Sequence, residues 1–382
     1  MRKLIKLEKD NILFNQNITE FLSSEEIYMP IKSNYQLLVK KGDYVLKGQI
    51  IMENNLNKVV SPVSGYIGDI LTKNVDDVFM KCLNIHNDFK EKSRSLRKKD
   101  VTYTKDTLIS KLYDFYFKYI ASVFESKKIN NLVISGIDDE PYILNNSYIL
   151  NKYSKEILEM TDILSTVFEI NHTVIVMKNT QNKNVEKYLN KIGTYPNIGL
   201  RFIEDKYLLG NPFFLLEYLE YQEIDSLVID VKTIVNMYDA IKYNHLASET
   251  FITIGGPSVT RSQVLKVKIG SSLQEILDNN IKIKGDNNQL VLNGLMAGHA
   301  CDITNVVVTN QTLGLVIIPN YKNEKLPCNS CGLCYRICPI KVNPKKSMDK
   351  KEPSKNCIDC GLCSYICPCH INLRQFLRGE NE

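Results

Sequence analysis

The chain has no tryptophan, so 21 tyrosines and 13 phenylalanines supply the aromatic mass of its 382 residues. Nowhere do about 18 apolar residues run together, which leaves no candidate for a bilayer-spanning helix. The opening Met1-Arg2-Lys3-Leu4-Ile5-Lys6 lacks the apolar core of a secretory leader, so none is expected. These absences place the chain in the cytoplasm, or peripheral to the inner face of the cell membrane. A strong charge bias is also missing, the formal net charge being +5. Much of that charge sits in the runs 90–99 and 345–355, which read as solvated linkers or faces. No basic patch lies on a recognisable nucleic-acid module, so no nucleic-acid partner is expected.

Cysteine is the residue present in unusual number. There are 11, and all but Cys82 and Cys301 fall between Cys328 and Cys369. In a chain without a leader, such crowding points to metal ligands or catalytic groups rather than disulfides. Cys82 and Cys301 read as buried structural thiols.

The stretch 38–70 alternates short β-branched runs with Gly-Asp and Gly-Gln turns, the signature of small antiparallel strands. It resembles the barrel-sandwich hybrid of biotinyl and lipoyl domains. Those domains carry a modified lysine at a hairpin tip. Here the tip reads Met52-Glu53-Asn54-Asn55-Leu56-Asn57, and Lys58 lies too close to the next strand, so a structural domain without a swinging arm is expected. A charged stretch, 90–105, reads as a linker. Strands at 131–135, 172–177, 198–203 and 226–229 then alternate with helices at 148–168, 184–192, 213–221 and 233–243. This alternation predicts βαβ units and a parallel sheet covered on both faces. From residue 249 the pattern changes to strands at 250–257, 263–268, 290–292 and 306–308, with a short helix at 272–277 starting on a Ser cap. That order suggests a small β-grasp-like domain.

The chemistry is concentrated at the C-terminal end. Cys328, Cys331, Cys334 and Cys338 follow the spacing C-x2-C-x2-C-x3-C-P. Twenty-nine residues on, Cys357, Cys360, Cys363 and Cys367 repeat it. This is the run of bacterial two-cluster ferredoxins, in which the fourth cysteine of each run ligates the other cluster. One [4Fe–4S] cluster is thus expected on Cys328, Cys331, Cys334 and Cys367, and a second on Cys357, Cys360, Cys363 and Cys338. Gly332 and Gly361 would let the turns close so that backbone N–H groups face the sulfurs. Zinc sites more often show two separated C-x2-C pairs, which this is not. Cys369 and His370 follow the last ligand, and Cys369 reads as an ordinary thiol beside a full site.

With that cassette in place, the chain resembles RnfC, the peripheral iron–sulfur subunit of the membrane ferredoxin:NAD oxidoreductase, and the related proline-reductase-associated electron-transfer protein. Ile134-Ser135-Gly136-Ile137-Asp138-Asp139-Glu140-Pro141-Tyr142 is similar to the family's Asn-Gly-Ala-Glu-Cys-Glu-Pro-Tyr. Residues 251–277 resemble its soluble-ligand-binding (SLBB) β-grasp, and Asn293-Gly294-Leu295-Met296-Ala297-Gly298 its Gly-Gly-Pro-Met-Met-Gly turn. The resemblance implies a multidomain α/β chain in four parts. These are a barrel-sandwich hybrid at 1–100, a Rossmann-like parallel α/β core at 101–248, an SLBB-like β-grasp at 249–320 and a two-cluster ferredoxin-type domain at 321–382. It also implies electron transfer between a ferredoxin or flavodoxin and a larger oxidoreductase or Rnf-type membrane complex.

One departure bears on cofactors. Flavin-binding members carry Gly-Leu-Gly-Gly-Ala-Gly-Phe-Pro before the first strand of the core. The equivalent stretch here, 108–122, contains no glycine and reads as a bulky aromatic helix. The backbone could not approach a flavin phosphate as closely, so FMN is not expected. The stripe Tyr113, Phe115, Tyr116, Phe117 and Tyr119 reads as core packing. Two other functions stay open at this point: an FMN-dependent NADH dehydrogenase subunit with a divergent flavin site, and a docking or assembly module with structural clusters. Lys341, Lys345, Lys346, Lys350, Lys351 and Lys355 are expected to be exposed and to steer an acidic redox partner.

Overall fold

The computed structural model describes residues 4–7, 19–20, 24–55, 57–76, 78–93, 102–179, 182–320 and 326–379. Most of the charged run at 90–105 lies outside them, as does Leu56 of the hairpin tip. After the two-residue strand β1 (Thr19–Glu20) come β2 (Glu26–Pro30), β3 (Gln36–Leu37), β4 (Tyr44–Val45), β5 (Ile50–Glu53), β6 (Lys58–Val60), β7 (Gly65–Val75) and β8 (Val78–Asn87). They form two antiparallel sheets, β2-β8-β7-β4 and β3-β5-β6. Side chains alternate across each strand, and the inward set, including Ile27, Val45, Ile51, Met52 and Ile85, packs between the sheets. Lys58 opens β6, as the sequence suggested, rather than crowning a turn.

Next come helices α1 (Lys105–Asp114) and α2 (Lys118–Ser126), strand β9 (Asn131–Ser135), helices α3 (Asn145–Lys152) and α4 (Ser154–Val167), and strand β10 (His172–Lys178). Helix α5 (Asn182–Ile192), β11 (Ile198–Ile203), α6 (Pro212–Leu219), β12 (Ser226–Asp230) and α7 (Val231–Tyr243) complete this region. The four strands are all parallel, in the order β11-β10-β9-β12. Leu132, Ile134, Ile175 and Met177 enter one core, and Val133, Val174 and Val176 enter another on the opposite face. This is why the strands read as unbroken apolar runs. Asp230 caps α7 by accepting from the Thr233 N–H at 2.9 Å, and Asn211 with Pro212 starts α6.

The third region holds β13 (Glu249–Gly255), β14 (Gln263–Lys268), α8 (Leu273–Asn280), β15 (Asn288–Leu292), β16 (His299–Ala300) and β17 (Gly314–Pro319). With β1 they make a six-stranded sheet ordered β1-β14-β13-β17-β15-β16. Glu249 at the start of β13 pairs with Lys47, Lys266 and Lys268, and so ties this sheet to the N-terminal one. Four short helices close the chain: α9 (Leu333–Ile337), α10 (Pro344–Lys350), α11 (Leu362–Tyr365) and α12 (Leu373–Arg378).

Several sequence expectations need correction. The single helix at 148–168 is two helices. The carboxylate of Asp138 accepts from the N–H groups of Asn146 and Ser147 and starts α3 early, and the chain then breaks at Tyr153, whose ring packs edge-on against Phe251. Residues 306–308 make only isolated bridges, to Asn74 and Ser272, while the strand in that part of the sheet is β17. The aromatic helix at 108–122 is broken between α1 and α2, with Tyr116 at φ 67°. Its stripe is not simply core. Tyr119 is 72% exposed, and Phe115, Tyr116 and Phe117 line a cavity of about 460 Å³ shared with Tyr35, Lys32 and Lys58. Cys82 is fully buried and its thiol is pushed up to about 11 by burial, whereas Cys301 is only half-buried.

Candidate metal centre

The two cysteine runs fold as copies of one local pattern. Ser330 and Asp359 have φ 57° and 56°, Gly332 and Gly361 72° and 73°, and Lys341 and His370 60° and 54°. Each pair is 29 residues apart. A left-handed turn after the first cysteine, a second before the third and a third after the Cys-Pro step coil each run around a hollow. Helices α9 and α11 begin directly after the two glycines.

Each hollow is lined by four cysteines. Cys328, Cys331 and Cys334 surround one together with Cys367, and Cys357, Cys360 and Cys363 surround the other together with Cys338. The structure thus brings together the same quartets that the crossover rule groups. Among the described residues no three His, Cys, Asp or Glu side chains converge on a point fit for a single ion. The thiols stand around a space instead. Backbone N–H groups face the sulfurs from both copies: Tyr335 and Lys345 toward Cys334, Ser364 toward Cys363, and Asp359 toward the Cys357 Sγ at 3.4 Å. Donors so placed stabilise thiolate, the ligating form. The donor set suits iron–sulfur binding.

The hollows differ in their surroundings. Cys328 and Cys331 are exposed, so the first opens to solvent; we call it the outer hollow. Behind the second, or inner, hollow lies the parallel sheet. Leu362 packs with Tyr207, Leu208, Phe214 and Met296 in one apolar cluster. The Tyr207 hydroxyl donates to the Cys360 carbonyl at 2.7 Å, and burial raises that phenol so that it stays a neutral donor. Burial pushes the Cys360 thiol up to about 11 and the Cys363 thiol up to about 12. Cys369 is buried and lines the outer hollow as a fifth thiol, and His370 is exposed on the turn that follows. Of the six lysines, Lys341, Lys346, Lys350, Lys351 and Lys355 are exposed, while Lys345 is half-buried against the outer hollow and paired with Asp349.

The acidic stretch after β9 has a role that sequence reasoning missed. Its three carboxylates reach three different segments. Asp138 caps α3. Asp139 accepts from the Gly210 N–H at 2.9 Å. Glu140 accepts from Met296 and Ala297 at 2.9 and 2.8 Å. A Cβ at Gly210 would meet Asp139 Oδ2 at 2.8 Å, and one at Gly294 would meet Glu140 Oε2 at 2.3 Å. Lys178, at the end of β10, is buried, pairs with Asp205 at 2.6 Å and donates to the Asp138 carbonyl. The backbone donors at these strand ends are therefore engaged by the chain's own carboxylates.

Two family models match. That of the RnfC barrel-sandwich hybrid domain covers residues 6–90, and that of the Nuo51 FMN-binding domain covers residues 113–242. The chain is 26% identical over 357 residues to a subunit of the ion-translocating oxidoreductase complex of Pasteurella multocida, an alignment covering 84% of this chain and 43% of that protein. It is 25% identical over 365 residues to the corresponding protein of Actinobacillus succinogenes, with 86% and 52% covered. For the corresponding protein of Buchnera aphidicola the identity is 24% over 386 residues, with 90% and 76% covered. The chain spans about half the length of the first two. Among solved structures, an NAD+-reducing [NiFe]-hydrogenase in its air-oxidized state shares the fold over 73% of this chain and 61% of its own, at a TM-score of 0.50 and 10% identity. From its N-terminal barrel-sandwich hybrid to its paired cysteine runs, the chain is an RnfC-like protein.

Proposed function

We propose that this chain is an electron-relay subunit that passes electrons through two [4Fe–4S] clusters. Cys328, Cys331, Cys334 and Cys367 hold the outer cluster, and Cys357, Cys360, Cys363 and Cys338 the inner. The observation that carries this reading is the exchange of the fourth cysteine between two hollows that each have four thiols. When bound, the clusters supply one-electron chemistry. The chain's part is to fix the thiols, aim N–H groups at them and leave the outer hollow open to a partner. The exposed lysines around that opening suit an acidic carrier such as a ferredoxin or flavodoxin. The inner hollow faces the body of a subunit that docks on a larger oxidoreductase or Rnf-type membrane complex. We assign the four parts as a barrel-sandwich hybrid (1–100), a Rossmann-like core (101–248), an SLBB-like β-grasp (249–320) and a ferredoxin-type domain (321–382).

We place no FMN in this relay. The residues at the strand ends do not fit it, because carboxylates fill the positions where a phosphate would need free N–H donors and glycine cradles. The match to an FMN-binding domain favours a second reading, an NADH dehydrogenase subunit with an altered flavin site. Anaerobic absorption and EPR spectra, with iron and flavin quantified, separate the two. About eight irons per chain and no flavin are expected. Bound flavin with NADH-driven cluster reduction would overturn the relay reading, and about four irons would overturn the ligand assignment. Electron transfer from an acidic carrier should slow as ionic strength rises, and a rate indifferent to salt would remove the lysines from the argument.

A further inference from the structure

The 29-residue repeat sets Arg374 in the place that Lys345 holds in the first copy, and each lines its own hollow. The two cations are held very differently. Lys345 lies on the surface helix α10 and pairs with Asp349 one turn along, at 2.5 Å. Arg374 is only 9% exposed. Its Nε and Nη2 donate to the two carboxylate oxygens of Asp359 at 2.5 and 2.6 Å. Its Nη1 donates to the Gly298 carbonyl at 2.6 Å, and Nη2 donates to that of Ala297. Asp359 lies inside the second cysteine run, with its N–H toward the Cys357 sulfur.

The turn that Arg374 grips is gripped from its other side too. Glu140, at the end of β9, accepts from the N–H groups of Met296 and Ala297. Ala297 is therefore held at its N–H by a carboxylate and at its C=O by a guanidinium. Gly361 of the second run lies against the same turn, so close that a Cβ there would come within 2.0 Å of the Met296 carbonyl. The fork geometry of a guanidinium suits this task, because one rigid plane serves a carboxylate and two carbonyls at once. An ammonium cannot reproduce it.

We propose that Arg374 is a positioning residue for the inner cluster. Through Asp359 it clamps the second cysteine run to turn 296–298, and through that turn to Glu140 and the end of the parallel sheet. The inner hollow is thereby fixed to the body. The outer hollow, whose equivalent cation is Lys345, has no such tie through that residue. This rests on the two-cluster reading, and it adds a division of labour: the inner site is anchored and slow to open, and the outer site faces the partner and opens readily.

Iron release to a colourless chelator tests this on the full-length holoprotein under anaerobic conditions, with EPR recorded in parallel. Wild type is expected to hold about eight irons and to lose half quickly and half slowly. Arg374→Gln should speed the slow phase tenfold or more and alter the EPR line shape of the slowly released cluster, leaving the fast phase within twofold. Arg374→Lys, which keeps the charge and loses the fork, should speed the slow phase as well. Lys345→Gln should leave the slow phase unchanged. Should Arg374→Gln fail to accumulate folded, Arg374→Lys and Asp359→Asn carry the same comparison. A slow phase within twofold of wild type in these variants, full rescue by lysine, or a single release phase in wild type would overturn the clamp. Fewer than about eight irons in wild type would instead overturn the two-cluster reading.

Discussion

The outer and inner hollows share a cysteine pattern, three left-handed turns and a pair of short helices, yet they stand in different surroundings. The outer one has exposed cysteines and a half-buried lysine at its wall. The inner one has a buried arginine, a tyrosine hydroxyl on its backbone and the end of a parallel sheet behind it. A repeated sequence thus fixes the ligand geometry twice, and the elements packed around each copy decide how firmly it is held. The two sites have different work because the rest of the chain touches only one of them closely.

The comparison can be broken most directly at the exchanged cysteines. Cys367→Ser, although it lies in the second run, should empty the outer site and spare the inner, and Cys338→Ser should do the reverse. Iron should fall from about eight to about four in each, with the EPR signal that disappears identifying the site. Loss of the same signal in both variants would mean that the lining does not reflect ligation. The glycines sharpen the contrast next. Gly332 and Gly361 have nearly the same φ, but a Cβ at Gly332 meets nothing within 4 Å, whereas one at Gly361 meets the Met296 carbonyl. Gly332→Ala should cost about 1 kcal/mol, the left-handed penalty alone. Gly361→Ala should cost about 3 kcal/mol or more, since a backbone must move; equal denaturation midpoints would deny the close approach. Tyr207→Phe should destabilise by about 1 kcal/mol, the worth of one hydrogen bond, and only the inner signal should respond. The smallest effect belongs to Lys345→Gln, which breaks an i,i+4 surface pair worth about 0.3–0.5 kcal/mol and should barely move the melting temperature.

Much of this was legible in the sequence because its signals are local. The spacing of eight cysteines and the recurrence of Gly332 at Gly361 define both hollows without any tertiary information. The four parallel strands were equally plain, since burial on both faces writes itself as continuous Val, Ile and Leu. What escaped depends on distant partners. The break at Tyr153 is set by Phe251, nearly a hundred positions away. Strand β17 pairs with β13 and β15, and a six-residue apolar run says little about which neighbours it will find. At the site, Glu140 stood out as an acidic residue, but nothing near it in sequence announces that it caps residues 296 and 297. Arg374 gave a weak sign, its register with Lys345. Only the fold shows that one is a clamp and the other a surface charge.

The three carboxylates that follow β9 have a consequence for chain length rather than chemistry. Asp138, Asp139 and Glu140 are consecutive, and each reaches a different segment: the start of α3, the turn at Gly210 and the turn at 296–297. Most loops absorb an extra residue at small entropic cost. Here a single insertion or deletion between Gly136 and Pro141 would reassign all three partners at once. Exchanging one carboxylate for its amide leaves an acceptor oxygen in place. This short stretch should therefore accept changes of side chain far more readily than changes of register.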